Sequence, residues 1–357
     1  MSGGNMSKAN TQLQADRETR ESDVTIQTQN LKKYFYPSGG MLKTVLPWVD
    51  GNETYIPAVD DVSIQIEPGK VYGLVGESGS GKSTFGETIL RLQEPTSGDI
   101  IYRGEKVNDY SKSELRHFRK NAQMIFQDPY ECLNPRHTIF QTIVDPLKNF
   151  YDMERAELEE RALDMLYDVG LRPPGEFLEA YPEQLSGGER QRVNIARALI
   201  VEPDFIVADE PVSMLDLSTQ SALLKLLDRL QQKFGFAMLF ISHNLAIVQI
   251  VSDQIGVMYK GRIVEEGDAA DVFQDPQHPY ARLLVDSVPD PEADRERLAL
   301  DNAGIDVDPA TIEGCRFNPL CPDRHDRCTN AVPALVEGKD NPGQTVACFL
   351  HHDVAEE

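Results

Sequence analysis

The chain has 357 residues, 40% hydrophobic and 26% charged, the composition of an ordinary globular protein with a sizeable core, and at about 150 residues per domain it predicts two domains or one with an extension. Apolar runs such as Phe236 to Ile241 fall far short of the ~20 residues of a membrane-spanning helix, and the opening residues lack the apolar core of a secretory leader, so a cytoplasmic protein is expected. The net charge of −23 argues against nucleic-acid binding, which needs clustered Lys and Arg.

In chain order, residues 1–22 are polar and aperiodic and read as a disordered tail. Alternation from Val24 to Phe35 predicts a strand. Gly39, Gly40, Pro47, Gly51 and Pro57 mark a loop or hairpin insertion over 38–56. A second alternating strand covers 59–69, and the apolar run 71–76 reads as a buried strand. It leads into a Gly-rich loop and a helix beginning near Lys82. Residues 111–170 are mainly helical in pattern, with a stop at Gly170. A helix follows from Ser186, its N-cap. Then come a buried strand at 205–210, an amphipathic helix ended by Gly235 and a buried strand at 236–243. A hairpin turns at Lys260-Gly261, and 287–312 reads as a linker. Strands alternating with helices predict an α/β fold with a largely parallel sheet.

Gly76-Glu77-Ser78-Gly79-Ser80-Gly81-Lys82-Ser83-Thr84 matches the phosphate-loop pattern G-x-x-x-x-G-K-[ST] between a strand and a helix. The glycines let backbone N–H groups turn inward on the β-phosphate. Lys82 adds a cation, the Ser83 hydroxyl can ligate Mg²⁺, and the helix start adds its dipole. Downstream, Phe205–Ala208 bury a strand that carries Asp209 and Glu210 at its carboxyl edge, where open α/β sheets bind ligands. Asp209 suits a water-mediated Mg²⁺ contact and Glu210 a general base on the attacking water.

The segment Leu185-Ser186-Gly187-Gly188-Glu189-Arg190-Gln191-Arg192 resembles the LSGGQ signature of ABC transporter ATPases, with Glu189 in place of the usual Gln. Other markers of that family stand in order over about 24–285. Gln127 in MIFQDP resembles the Q-loop glutamine, which senses Mg²⁺ and the membrane partner. Ser213-Met214-Leu215-Asp216 resembles the D-loop, with Met214 for the commoner Ala, and His243 resembles the switch histidine at the γ-phosphate. Phe35 resembles the aromatic that stacks on adenine, with Tyr34 as the alternative. The resemblance implies a P-loop NTPase fold with a RecA-like core, an antiparallel β-subdomain and an α-helical subdomain, plus a C-terminal extension. It implies ATP held in trans between the phosphate loop of one subunit and the signature of the other. The Glu189 departure is expected to tune ATP affinity modestly.

QDPYECLNPRHTI and HPYARLLVDSVP narrow the resemblance to oligopeptide and dipeptide importer ATPases, nearer the subunit written OppF or DppF than its D-type paralogue. By that resemblance 23–268 is the ATPase domain, with its helical subdomain at about 111–190, and 269–357 is the importer-type extension. The implied assembly is a heterodimer with a paralogous ATPase (a homodimer is the alternative), two permeases and an external solute-binding protein. The chain then lies peripherally on the cytoplasmic face of the membrane, with about 128–150 facing the permease. Peptide is the expected cargo; nickel, glutathione and sugars are the alternatives. A soluble ABC ATPase or a redox-sensing regulator is the rival class.

Cys315, Cys321, Cys328 and Cys348 cluster in the tail, while Cys132 is distant and reads as an ordinary loop or core residue. In a reducing compartment their spacing favours metal over disulfides. It lacks tight C-x₂-C knuckles and resembles the C-terminal motif that in some of these ATPases holds a [4Fe–4S] cluster. Zn²⁺ and free or disulfide thiols are the alternatives. His325, His351 and His352 are expected at the surface. Only 14 of the 35 basic residues are Lys. A Lys-poor acidic surface suits a salt-rich, halophilic cytoplasm, where self-repulsion is screened; a moderately acidic mesophilic protein is the plainer alternative.

Overall fold

The computed structural model describes residues 24–36, 55–287, 312–339, 341 and 343–352. The expected disordered tail, and most of the insertion at 38–56 and of the linker at 287–312, lie outside the described residues. The chain divides into two units. One comprises residues up to Gln27, Gln65–Lys70 and Ile101–Leu239; the other comprises Thr28–Ile64, Val71–Ile100 and Phe240 onward.

In the first unit, strands Ala122–Ile125 and Phe205–Asp209 pair in parallel, Ala122 opposite Phe205 and Ile125 opposite Ala208. The sequence pattern places Ala122–Ile125 within a helical stretch, 111–170. Four residues are too few to show alternation. Helix Ile139–Phe150 buries Ile139, Ile143, Val144 and Leu147 along one face. It packs on helices Arg155–Asp168 and Gly187–Leu199. As predicted, Arg155–Asp168 stops before Gly170 at φ +79, and Leu217–Phe234 ends at Gly235 in the left-handed region.

In the second unit, strand Val71–Val75 is fully buried and pairs in parallel with Gln254–Tyr259. Gln254–Tyr259 turns back on Arg262–Asp268 through Lys260 and Gly261, both at positive φ. Two such residues make the hairpin turn that matches strand twist. Thr345–Val346 adds to the outer strand of this hairpin, and Val336–Glu337 adds to Thr345–Val346. The C-terminal extension therefore continues the sheet. The expected strand over 59–69 is instead two pieces, Ile56–Val62 and Gln65–Ile66. Ser63 and Ile64 separate the two pieces, and Asp61, inside the first, sits at φ +66. His325 is exposed, but His351 is buried, against expectation. Its Nδ1 accepts the Lys339 N–H at 3.2 Å, so the ring caps the chain turn between the two short strands.

Glu265 joins the hairpin to the segment 277–280. It is fully buried. Its two carboxylate oxygens accept the N–H groups of Gln277 at 2.8 Å and His278 at 2.7 Å. His278 Nδ1 in turn accepts the Tyr280 N–H at 3.0 Å and caps helix Pro279–Asp286. Burial, with His351 nearby, lowers the His278 pKa to about 3, so the ring is neutral. Burial outweighs the two N–H donors and pushes Glu265 up to about 7. The folded chain then keeps a proton that the unfolded chain has released, so this group lowers stability as pH rises from 4.5 to about 7. Glu265→Gln cannot titrate. Thermal unfolding between pH 4.5 and 8 is expected to show its midpoint gaining on wild type up to about pH 7 and then levelling. A pH-independent gap would overturn the assignment.

Candidate active site

The phosphate loop lies in the second unit. Gly76 is buried and Ser78 and Gly79 are exposed. A Cβ on Gly76 would stand 2.1 Å from the Met258 carbonyl oxygen. At Gly81, φ is +103 and a Cβ would stand 1.9 Å from the Ala58 carbonyl oxygen. These contacts explain why the motif demands glycine at both ends. Lys82 is 4% exposed. Its Nζ donates to the carbonyls of Gly76 at 2.7 Å and Glu77 at 2.8 Å, and to Ser80 Oγ at 3.3 Å. The ammonium is thus folded over the loop it serves. Ser83 is exposed and Thr84 half-buried at the start of helix Lys82–Ile89. That helix has Gly81 as N-cap and no side-chain cap, so a ligand anion can meet its first N–H groups.

His243 and Phe35 belong to the same unit. His243 is exposed just beyond strand Ala237–Ser242. Phe35 is 37% exposed, with the Lys33 Nζ 5.0 Å from its ring centroid. Tyr34 is engaged elsewhere: its hydroxyl donates to Asp60 Oδ1 at 2.5 Å and its ring stacks on Tyr55.

Gln127, Asp209, Glu210, Asp216 and the signature lie in the first unit. Asp209 is 6% exposed at the end of its strand. Gln127 Nε2 donates to Glu210 Oε2 at 3.2 Å, so the structure brings these two together. Glu210 sits at φ +42, a left-handed backbone unusual for a non-glycine residue. Sequence pattern carries no signal for that strain. Ser186 caps the signature helix by accepting the Glu189 N–H at 3.4 Å. Glu189 answers, accepting the Ser186 N–H at 2.8 Å and its hydroxyl at 2.7 Å. The Ser186 bonds hold the Glu189 carboxyl below its usual range. The Ser-x-x-Glu spacing that signals such a reciprocal cap was legible in the sequence. Gly187 and Gly188 form the first turn of that helix. Asp216 caps helix Leu217–Phe234, accepting N–H groups from Ser218 and Thr219, both at 3.1 Å. The Ser218 and Thr219 hydroxyls do most to lower its pKa, and the backbone N–H groups add to it.

The four tail cysteines share a neighbourhood in the second unit. Burial raises Cys348 to about 11, and the charges of Cys315, Cys321 and Cys328 add to the rise. Burial likewise raises Cys315 and Cys321. By donor type the four sulfurs suit iron–sulfur or zinc. Among the described residues no three His, Cys, Asp or Glu side chains stand where they could hold a metal ion. The expected cluster or zinc site therefore does not fit the geometry. Cys132 ends helix Pro129–Cys132, its Sγ donating to the Asp128 carbonyl at 3.0 Å.

Residues 59–213 match the family model described as ABC transporter. Residues 264–328 match the one described as the C-terminal region of oligopeptide/dipeptide transporters. A relative from Sinorhizobium fredii, named as the probable peptide ABC transporter ATP-binding protein y4tS, is 42% identical over 335 residues, covering 94% of this chain and 92% of its own. The chain belongs to the ATP-binding proteins of ABC transporters. The oligopeptide transport ATP-binding protein AppF of Bacillus subtilis is 40% identical over 337 residues, covering 92% of this chain and 98% of its own. Among solved structures, the ATP-binding cassette MJ0796, described as a dimer bound to ADP and Pi, aligns with a TM-score of 0.59 and 30% identity. It covers 68% of this chain and 98% of the cassette. The fold is accordingly the P-loop ABC ATPase fold, with a C-terminal extension. No described helix of this ABC ATP-binding protein is long and apolar enough to cross a membrane.

The glycine contacts predict a specific failure. Gly81→Ala adds backbone strain of about 1–3 kcal/mol to the overlap with Ala58. Equilibrium titration with Mg–ATP is expected to show at least about tenfold weaker binding. Wild-type affinity in that variant would remove the loop from the site.

Proposed function

We propose that this chain is the ATP-hydrolysing motor of a membrane ABC importer whose cargo is peptides. The observation that carries the reading is one chain holding both a phosphate loop with its lysine folded inward and a signature helix capped at Ser186, joined to an importer-type C-terminal region. The peptide assignment is supported by relatives named for peptide transport. ATP enters as its Mg²⁺ complex. The hydroxyl of Ser83, the amide of Gln127 and the carboxylate of Asp209 are hard oxygen donors of the kind Mg²⁺ prefers, and they are the proposed ligands.

The roles follow from chemistry. Residues 76–84 and Lys82 bind the β- and γ-phosphates. Phe35 stacks on the purine; the engagement of Tyr34 with Asp60 supports that choice. Glu210 polarises the attacking water as general base, and the Gln127 amide orients its carboxylate. His243 contacts the γ-phosphate. Ser186, Gly187, Gly188 and Glu189 supply the signature to the second subunit's nucleotide, and Asp216 lies on the dimer face. Partners are a second ATPase subunit, a paralogue or another copy, and two permeases, with the binding protein outside the membrane. The domain division is an ATPase domain at 23–268 and an extension at 269–357. The net charge of −23 supports a saline cytoplasm. The cysteine tail's clustering supports an iron–sulfur or zinc site, its geometry does not, and no step is assigned to it.

Glu210→Gln is expected to bind Mg–ATP with near wild-type affinity and to hydrolyse it at least about 100-fold more slowly, measured as phosphate release. Unchanged turnover would remove Glu210 from the chemistry. In a deletion strain, restored uptake of labelled peptide by wild type and not by Lys82→Ala would support the importer reading. Loss of nickel or sugar uptake alone would replace the cargo, and unchanged uptake would favour a soluble ABC ATPase.

A further inference from the structure

Tyr280 belongs to the C-terminal extension, yet its hydroxyl oxygen accepts the backbone N–H of Glu77 in the phosphate loop at 3.0 Å. Tyr280 is 1% exposed. Its ring packs on Tyr259 at 4.6 Å and on Phe317 at 5.6 Å between centroids. Its backbone is fixed as well. His278 accepts the Tyr280 N–H, and the buried Glu265 carboxylate holds the two residues before Pro279. Tyr280 therefore cannot move away from Glu77 without disturbing a buried acceptor.

A second line reaches the same loop from the neighbouring residue of Phe317. The Arg316 guanidinium donates to the Lys260 carbonyl and, at 2.5 Å, to Asp60 Oδ2. The hairpin turn it holds is bonded to the loop: the Gly261 N–H donates to the Ser80 carbonyl at 2.8 Å. The Gly261 carbonyl accepts the Asp60 N–H, also at 2.8 Å. The extension thus bonds the loop directly near its start, at Glu77, and reaches its middle, Ser80, indirectly through the Lys260-Gly261 turn that Arg316 holds.

A backbone cradle binds phosphate well when its N–H groups are already aimed, because reorganisation then takes little from the binding energy. We propose that the C-terminal extension is a positioning strut for the phosphate loop, with Tyr280 and Arg316 as the positioning residues that set its affinity for a triphosphate. The inference rests on the ATP-binding reading above. It differs from a packing role, because Tyr280→Phe keeps the ring and every aromatic contact while removing the hydroxyl.

The test is equilibrium binding of Mg–ATP and of inorganic tripolyphosphate to the full chain, with melting of the ligand-free protein as the control. One neutral hydrogen bond corresponds to about three- to tenfold. Tyr280→Phe is expected to weaken both ligands by that factor, with the ligand-free midpoint within about 2 °C of wild type. Arg316→Gln is expected to weaken both ligands too, and Arg316→Lys to recover part of the loss. Tyr280→Phe that binds both ligands like wild type overturns the strut. So does a loss confined to ATP, which would place the effect at the purine. An affinity loss that appears only where the ligand-free midpoint also falls would reduce the extension to packing. Wild type that binds neither ligand overturns the ATP-binding reading and this inference with it, whereas tight wild-type binding abolished by Lys82→Ala leaves that reading standing whatever the Tyr280 result.

Discussion

A buried carboxylate organises the unit that carries the phosphate loop. Asp60 is 4% exposed and meets the hydroxyl of Tyr34 and the guanidinium groups of Arg262 and Arg316. Burial opposes its ionisation. The Tyr34 hydroxyl and the two arginines outweigh it and hold the carboxyl below the usual range. A buried carboxylate stripped of all its partners would be strongly destabilising; here several partners share the charge, so no one of them carries it alone. Each comes from a different segment: the aromatic strand, the central hairpin and the cysteine loop. The register between Ile26–Phe35 and Ile56–Val62 shifts at Lys33 and Tyr34. Beside those shifts Tyr34 reaches Asp60, while Phe35 stays partly exposed under the Lys33 ammonium.

The two helix starts of the nucleotide machinery handle the same electrostatic problem in opposite ways. Both present unsatisfied N–H groups and a positive dipole end. Helix Lys82–Ile89 begins at a glycine with no side-chain cap. Helix Gly187–Leu199 begins at Ser186 and carries its own carboxylate, Glu189, back onto that serine. A Gln at this position could make the same reciprocal cap, so the charge of Glu189 is an addition and not a requirement of the fold.

Much of this is legible in the sequence. The phosphate loop, the Glu210 strand, the Gly170 and Gly235 stops and the Lys260-Gly261 turn follow from local rules. Glycine, turn and cap chemistry act over a few residues, and buried strands leave apolar runs. What stayed hidden was long-range. Strand Ala122–Ile125 is too short to show a period. His351 read as surface because a lone histidine near a terminus carries no burial signal, yet it accepts an N–H from Lys339 across the short strand pair. The bond from Glu77 to Tyr280 joins residues 203 apart in sequence, and no spacing rule reaches that far. The cysteine spacing suggested ligands; folding set the thiols near one another without closing a coordination shell.

The reciprocal cap at Ser186 and Glu189 has a consequence for the order of events in assembly. A signature helix whose first N–H groups waited for a nucleotide held by another subunit would fray until that subunit arrived. Here the helix brings its own counter-anion, so the N–H groups of Glu189 and Ser186 are satisfied within a lone protomer. The start of the signature helix is thereby held from within before a second subunit arrives.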